Sequence, residues 1–299
     1  MAANKDDITK PDMVIWHGSD KRLQSRQQVM SAQDKNYTSL AGYDVNAKKF
    51  MQYNDSSIRA INVLPKQLYA WAADARAYEL DQNLDGQNYA DIYIVDLKTG
   101  SREKLFEKFY IPGYYSMPQP SPDGLKFSYG KNGQFYVYDI SSKTHTNITA
   151  NVPTSFVNTE DDHNVVKPMT QVFAWSADNK YLFVQDLWDV WQLPVNGKGG
   201  AVNLTGNGAK EKIRYQERYQ LDPEEKGIDT RKPIYLRQYG EWTKKSGLVR
   251  VQAGKTGVTV LNWEDADISG LSKAKNADVY MFAKGTFTTP TEFLWGMLH

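Results

Sequence analysis

Apolar and polar positions recur along this chain in a fixed order. An apolar or aromatic residue precedes a turn built around Asp, and a short apolar strand follows. A second strand then carries an aromatic at its centre, and the unit closes on an apolar residue, twice followed by Thr. In the stretch from Pro118 to Thr149, Ser121-Pro122-Asp123-Gly124 reads as a turn, because Pro presets φ and Gly tolerates φ > 0. Leu125 to Tyr129 alternates as a strand does, Gly130 to Gly133 reads as a hairpin turn, and Gln134 to Ile140 is the answering strand. Asn147-Ile148-Thr149 closes the unit. A second copy runs from Ala174-Trp175-Ser176-Ala177-Asp178-Asn179 through Tyr181 to Val184 and Asp189 to Leu193, closing at Asn203-Leu204-Thr205. A third copy is expected earlier, with Ala70-Trp71-Ala72-Ala73-Asp74 as its degenerate turn and Asp91 to Leu97 as its strand.

The turn aspartates Asp74, Asp123 and Asp178 are spaced by 49 and 55 residues, and the central aromatics Tyr93, Tyr136 and Trp191 by 43 and 55. A period near 50 with several short strands per unit is the pattern of a β-propeller blade. Recurrence at one repeat position points to a packing role for those aromatics, since they bury much area and set blade spacing. Beyond Thr205 the pattern loosens. Ile213 to Leu221, Pro233 to Leu236, Gly247 to Val251 and Thr256 to Trp263 supply a fourth blade. Ala277 to Phe282 with Glu292 to Trp295, and Ser39 to Tyr53 at the front, supply parts of two more. The expectation is an all-β, incomplete β-propeller of about four to five and a half four-stranded blades. Residues 1–12 are expected to be a disordered polar N-terminus, 13–295 the blades and 296–299 a tail.

Composition narrows the function. The 299 residues are 40 % hydrophobic, enough to bury a core. A balance of 36 basic against 35 acidic residues gives no footprint for nucleic acid. With no Cys, disulfides and thiolate metal sites are excluded. No apolar run approaches the roughly 20 residues of a membrane-spanning helix, and Met1 to Pro11 has no apolar segment of signal-peptide type.

Several longer stretches are more specific than the repeat. They are Trp16-His17 with Asp20 to Gln24; Asp85-Gly86-Gln87-Asn88-Tyr89-Ala90-Asp91-Ile92-Tyr93; Val152-Pro153-Thr154-Ser155-Phe156 running into Glu160-Asp161-Asp162-His163 and Val166-Lys167-Pro168; and Leu221 to Asp229 with Tyr239 to Gly247. Together, over roughly Met13 to Trp295, they resemble the N-terminal propeller of large exported prolyl oligopeptidase family serine peptidases of Bacteroidetes type. The resemblance implies a propeller of the TolB and dipeptidyl-peptidase type, with WD40-like repeats, over a C-terminal α/β-hydrolase domain that carries a Ser, Asp and His triad. It implies peptides as ligands, a periplasmic or secreted location, and a role in proteolysis in which the propeller restricts access to short peptides. The chain departs from that family in one respect. It has no G-x-S-x-G nucleophile elbow and no alternation of strands with long amphipathic helices after residue 200. No catalytic residue is therefore carried over, and no cofactor or metal is expected.

Two clusters remain as candidates. Glu160, Asp161, Asp162 and His163 form the densest titratable group, a loop for a divalent cation or a substrate amino terminus; the plainer reading is a solvated loop between blades. Glu224 and Glu225 invite comparison with the paired glutamates that capture peptide N-termini in dipeptidyl members of the family, although Asp222-Pro223 before them reads as a turn start. Of the histidines, His145 lies in a polar hairpin and is expected to be exposed, while His17 is expected to pack under a blade edge; none has metal spacing. Arg22, Arg26, Arg214 and Arg218 are expected to be solvated or ion-paired. Asp74, Asp123 and Asp178 resemble a glycosidase set, yet their Gly and Asn neighbours favour turn stabilisation. The first reading is a non-catalytic propeller segment that gates a separate hydrolase domain, and the second is a free-standing propeller binding a protein, peptide or glycan. Open blade edges are expected to promote self-association.

Overall fold

The β-branched and aromatic runs read above form strands in the computed structural model, which describes residues 13, 15–111, 118–163 and 166–298. The expected disordered segment 1–12 and His299 lie outside the described residues. The chain divides into two compact units, one of residues 1–62 and 70–111 and the other of 63–69 and 112–299.

In the first unit a helix, α1 (Gln24–Lys35), precedes the hairpin β1 (Ala41–Asp44) and β2 (Lys49–Gln52). A four-stranded sheet follows: β3 (Ala60–Val63), β4 (Tyr69–Asp74), β5 (Tyr89–Asp96) and β6 (Arg102–Tyr110). Met51, Tyr53 and Ile58 pack there against Ala70, Ala72 and Val95. Helix α1 buries no residue and is held by ions, with Asp34 accepting from both Arg22 and Arg59. His17 does not pack under a sheet edge. It is exposed, and its imidazole accepts from the Ser19 N–H in a tight turn.

The second unit holds β7 (Gln119–Pro120), β8 (Lys126–Lys131), β9 (Gln134–Asp139) and β10 (Thr144–Asn147), then β11 (Val172–Trp175), β12 (Tyr181–Gln185), β13 (Val190–Pro194) and β14 (Val202–Asn203). A short helix, α2 (Gly208–Glu211), leads into β15 (Ile213–Tyr219), β16 (Ile234–Gly240), β17 (Ser246–Val251) and β18 (Thr259–Glu264), then β19 (Asp267–Lys273), β20 (Tyr280–Gly285) and β21 (Glu292–Gly296). Each sheet is an antiparallel meander in chain order, four-stranded except the last, which has three. These are propeller blades. Strand β21 takes in Gly296, the first residue of the expected tail.

Strand period explains how the blades stack. Successive side chains point to opposite faces, so a strand covered on both faces is apolar throughout. Leu182 and Val184 of β12 pack towards Phe135 and Val137, while Phe183 between them packs towards Tyr215 and Leu236. Leu236 of β16 packs towards β12, while its neighbour Tyr235 packs with Ile268 and Tyr280. Trp191 fills the core between the second unit's first two sheets, whereas Tyr136 stacks on Tyr129 of its own sheet, 5.3 Å away.

Two local devices repeat. In the turn, the Ser121 hydroxyl bonds Asp123 Oδ1 (2.6 Å) and accepts the Lys126 N–H; the Ser176 hydroxyl bonds Asp178 Oδ1 (2.7 Å) and accepts the Tyr181 N–H. Asp123 and Asp178 therefore stabilise turns, as their neighbours indicated. In the closing segment, Thr149 Oγ1 accepts the Phe135 N–H and Thr205 Oγ1 the Val190 N–H, each Thr N–H being held by Asn147 or Asn203. This clasp gives the recurrent Thr a hydrogen-bonding task.

The expected third turn is corrected. Ala70 to Asp74 lies inside β4, and Asp74 forms a two-pronged pair with Arg76. The equivalent turn is Leu64 to Leu68. The Leu64 N–H bonds Tyr69 O, as the Ser121 N–H bonds Lys126 O and the Ser176 N–H bonds Tyr181 O. Leu64, Ser121 and Ser176 are spaced by 57 and 55 residues, a more even period than the aspartates gave. Gln67, Gly124 and Asn179 hold the same left-handed position at φ 55°, 70° and 60°. At Gly124 a Cβ would stand 1.8 Å from the Pro65 carbonyl oxygen, so the close approach of two turns requires glycine. Neighbouring turns in the second unit are tied onward: the Asp123 N–H to Asn179 Oδ1, and the Ala177 N–H to Ile228 O.

Candidate functional site

Strand β15 is bulged between Tyr215 and Glu217, and its last residues reach a loop, 220–233, that returns to β16. The loop is shaped locally by Asp222, whose carboxylate accepts the Glu224 N–H and whose carbonyl accepts the Glu225 N–H. It is fixed to the neighbouring sheet by a parallel bridge, in which the Ile228 N–H donates to Trp175 O and Ile228 O accepts from Ala177.

This folding brings Glu225 to Arg218. Both terminal guanidinium nitrogens of Arg218 donate to one Glu225 carboxylate oxygen, at 2.8 and 2.7 Å. The Arg218 side chain is 9 % exposed and that of Glu225 22 %, so both charges are largely withdrawn from water. Burial pushes the Glu225 carboxyl up from its ordinary value, opposed by Arg218; burial likewise pulls the Arg218 guanidinium down, opposed by Glu225. The pair stands in the wall between two cavities. One, of about 310 Å³, is lined by the first strands of three sheets, through Gln119, Phe173, Trp175 and Arg218. The other, of about 810 Å³, lies between the 220–233 loop and the turn that joins β19 to β20.

The larger cavity has an aromatic wall. The rings of Tyr235 and Tyr280 meet at 5.6 Å, tilted by 42°, with their hydroxyls 3.1 Å apart, and Tyr219 beside them has a buried hydroxyl with no hydrogen-bond partner among the described residues. Asp222, Glu224 and Asp229 come to this cavity from the loop, and Lys273 and Lys275 from the facing turn. Asp229 is taken up by Arg231, which holds its carboxyl down at about 2. Glu224 is exposed at the rim. The two glutamates thus diverge: Glu225 is a structural partner of Arg218, and Glu224 is the carboxylate presented to the cavity side.

The acidic loop divides as well. Glu160 leaves the cluster to pair with Arg214, whose guanidinium also bonds Glu241 (2.7 Å) and lies over the Trp188 ring. Asp161, Asp162 and His163 stay together, with potential ligand atoms within 4.8 Å of one another and the His163 ring 2.9 Å from Asp161. Asp162 is fully exposed, and three such groups fall well short of the six to eight oxygens that Ca²⁺ takes. His145 is exposed as expected, though its Nδ1 meets the Tyr129 hydroxyl at 2.8 Å.

Sequence reading singled out Glu224 and Glu225 but not Arg218 as the partner, nor Tyr219, Tyr235 and Tyr280. Arg218 was expected to be solvated or ion-paired, and it is ion-paired, with Glu225. Its alternation with Tyr219 in β15 placed the two on opposite faces, and nothing in the sequence joined Tyr235 to Tyr280, 45 residues apart.

No protein-family model matches the chain, and no curated protein matches it in sequence. Solved structures do. The dipeptidyl peptidase 4 of Porphyromonas gingivalis superposes with a TM-score of 0.52 at 10 % identity, covering 88 % of this chain and 45 % of that one. A structure described as a dipeptidyl aminopeptidase IV from Bacteroides ovatus gives 0.51 at 9 % identity, over the same shares. A TolB from Acinetobacter baumannii, at 17 % identity over 86 % of this chain and 56 % of that one, reaches only 0.38, too low to bear on the fold. The chain spans less than half the length of the two peptidases. What it shares with them is the β-propeller fold. Among the described residues no helix is long and apolar enough to cross a membrane.

Proposed function

We propose that this chain is the propeller portion of a prolyl oligopeptidase family serine peptidase of Bacteroidetes type, exported to the periplasm or beyond, and that it limits peptide access to a separate C-terminal hydrolase domain. The observation that carries the reading is the fold likeness, which takes in 88 % of this chain but 45 % of each dipeptidyl peptidase. The sequence stretches that resemble this family support it independently. So does the larger cavity, whose volume of about 810 Å³ falls within the range of sites for small ligands.

In this reading the propeller does no chemistry. Acyl transfer belongs to the Ser and His of the hydrolase domain. The propeller's part is to exclude large substrates and to hold short ones. Glu224 is the peptide-contacting carboxylate. Glu225 and Arg218 position the loop that carries it, since a paired, buried carboxylate is a poor acceptor for a ligand.

The test is to blot the source cells with an antibody to this chain and to label them with a fluorophosphonate probe for serine hydrolases. A band far heavier than 34.1 kDa that takes the label is expected. A band at 34.1 kDa without label would instead make the chain a free-standing propeller that binds a protein, peptide or glycan.

A further inference from the structure

The larger cavity has two walls of unlike charge, both made by this chain. On the 220–233 loop, Glu225 is taken by Arg218 and Asp229 by Arg231, while Lys232 acts on those same two carboxylates. Asp222 turns one carboxylate oxygen to the Glu224 N–H. The Glu224 carboxylate is left, exposed and without a partner among the described residues. On the facing turn between β19 and β20, the Lys273 ammonium donates to Ala277 O at 2.9 Å, and it lies 3.5 Å from Asp278 and 5.5 Å from the centre of the Tyr280 ring. Lys275 is left there, exposed and likewise without a partner among the described residues. A free carboxylate and a free ammonium therefore stand on opposite walls of one cavity and do not neutralise each other. Tyr219, Tyr235 and Tyr280 line the same cavity.

We propose that this cavity holds a short peptide by both of its ends, the ammonium at Glu224 and the free C-terminal carboxylate at Lys275, with the peptide body against the tyrosines. The inference rests on the peptide reading of Glu224 given above and adds the second pole. Charge decides the class of ligand. A purely cationic ligand leaves Lys275 unanswered, a purely anionic one leaves Glu224 unanswered, and a zwitterion answers both. The tyrosines supply broad contact area with little side-chain freedom to lose. Size agrees, since the cavity has the volume of a sphere about 12 Å across and an extended tripeptide spans about 10 Å. An internal segment of a protein has no carboxylate to offer Lys275. The exclusion of large substrates then has a chemical basis as well as a steric one.

Isothermal titration calorimetry on the 299-residue chain tests it with the tripeptide Ala-Leu-Ala free at both ends, its C-terminal amide and its N-acetyl form. The free tripeptide is expected to bind, and each block to weaken binding about fivefold, the loss of one charge-assisted contact at a partly solvated rim. Lys275→Met should lose the same factor for the free tripeptide and become indifferent to amidation, while still discriminating against the N-acetyl form; Glu224→Gln should do the reverse. Both side chains are exposed, so both variants should melt with the parent. An amide that binds as tightly as the free tripeptide, or a Lys275→Met variant that still tells the two apart, would overturn the second pole and leave the Glu224 reading standing. An N-acetyl form that binds like the free one would remove Glu224, and with it the reading on which the inference rests. Binding of none of the three would overturn both, whereas membership of a serine peptidase is decided separately by the fluorophosphonate label.

Discussion

The sheets β11–β14 and β19–β21 are alike in sequence character and opposite in environment. Both are antiparallel meanders with apolar residues on successive positions. In the first, Leu182, Phe183, Val184 and Leu193 are all buried, because a neighbouring sheet lies on each side. In the second, Ile268, Leu271 and Tyr280 are buried while Phe293 and Trp295 stand open. An apolar strand therefore announces that both of its faces can be covered, not that they are. The neighbour decides, and the same substitution has a different meaning on the two sheets.

The comparison is broken most directly by truncating one aromatic on each. Phe183→Ala should destabilise the chain by about 3–5 kcal/mol in urea unfolding, whereas Phe293→Ala on monomeric protein should cost less than about 0.5 kcal/mol. Equal losses would mean that the β19–β21 face is covered in solution even in the monomer. Next in size is the clasp of the covered sheet. Thr205→Val keeps the shape but leaves the Val190 N–H and the Asp189 carboxylate without the hydroxyl they share, and should cost about 1–3 kcal/mol, with Thr205→Ser largely restoring it.

Between the two sheets stands the Arg218–Glu225 pair. Arg218→Met should cost about 1–2 kcal/mol near neutral pH, because it leaves Glu225 half-buried without its cation. The sign with pH is set by burial, which raises the Glu225 carboxyl in the folded state. Its protonated form is then favoured by folding, so the variant should lose stability as pH rises through the folded value and recover on acidification. Circular dichroism melts from about pH 4 to about pH 8 would read this out, and a variant whose deficit is flat with pH would sink it.

A further effect, of the smaller kind, lies in the β7–β10 sheet. Burial would raise the Asp139 carboxyl, but the Lys126 ammonium at 2.8 Å, the Ser142 N–H and the Ser141 hydroxyl outweigh it and hold the group well below the usual carboxylate range. Such a group stabilises the fold above the ordinary carboxylate pKa, and that contribution fades as pH falls towards the folded value. Asp139→Asn should cost about 1 kcal/mol at neutral pH and make acid unfolding shallower.

Much of this was legible beforehand, and the failures have identifiable causes. Asn132-Gly133 announced a hairpin, and both residues take the left-handed backbone such a turn needs, at φ 51° and 74°. Ser121-Pro122-Asp123-Gly124 and Ser176-Ala177-Asp178-Asn179 announced turns, because their side chains bond their own backbone. Leu64-Pro65-Lys66-Gln67 makes the same turn without those side chains, held by backbone hydrogen bonding alone, and so was overlooked. Ala70 to Asp74 was mistaken for it because it matches Ala174 to Asp178 at four of five positions, Ala72 standing where the turn has Ser176. At the candidate site, Glu224 and Glu225 stood out as a pair but differ in environment, which neighbours in sequence do not reveal.

The sequence by itself determined the all-β architecture, the blade-sized period, and the residue types that make turns and clasps. Each of these rests on hydrogen bonds and side-chain periods a few residues long, or on short units that repeat. Only the tertiary structure decided that Arg218 takes Glu225, that Tyr235 meets Tyr280, and that Phe183 is enclosed while Phe293 is not. Those outcomes depend on which sheet lies against which. Burial and charge pairing act through space, between groups whose separation along the chain carries no signal of their contact.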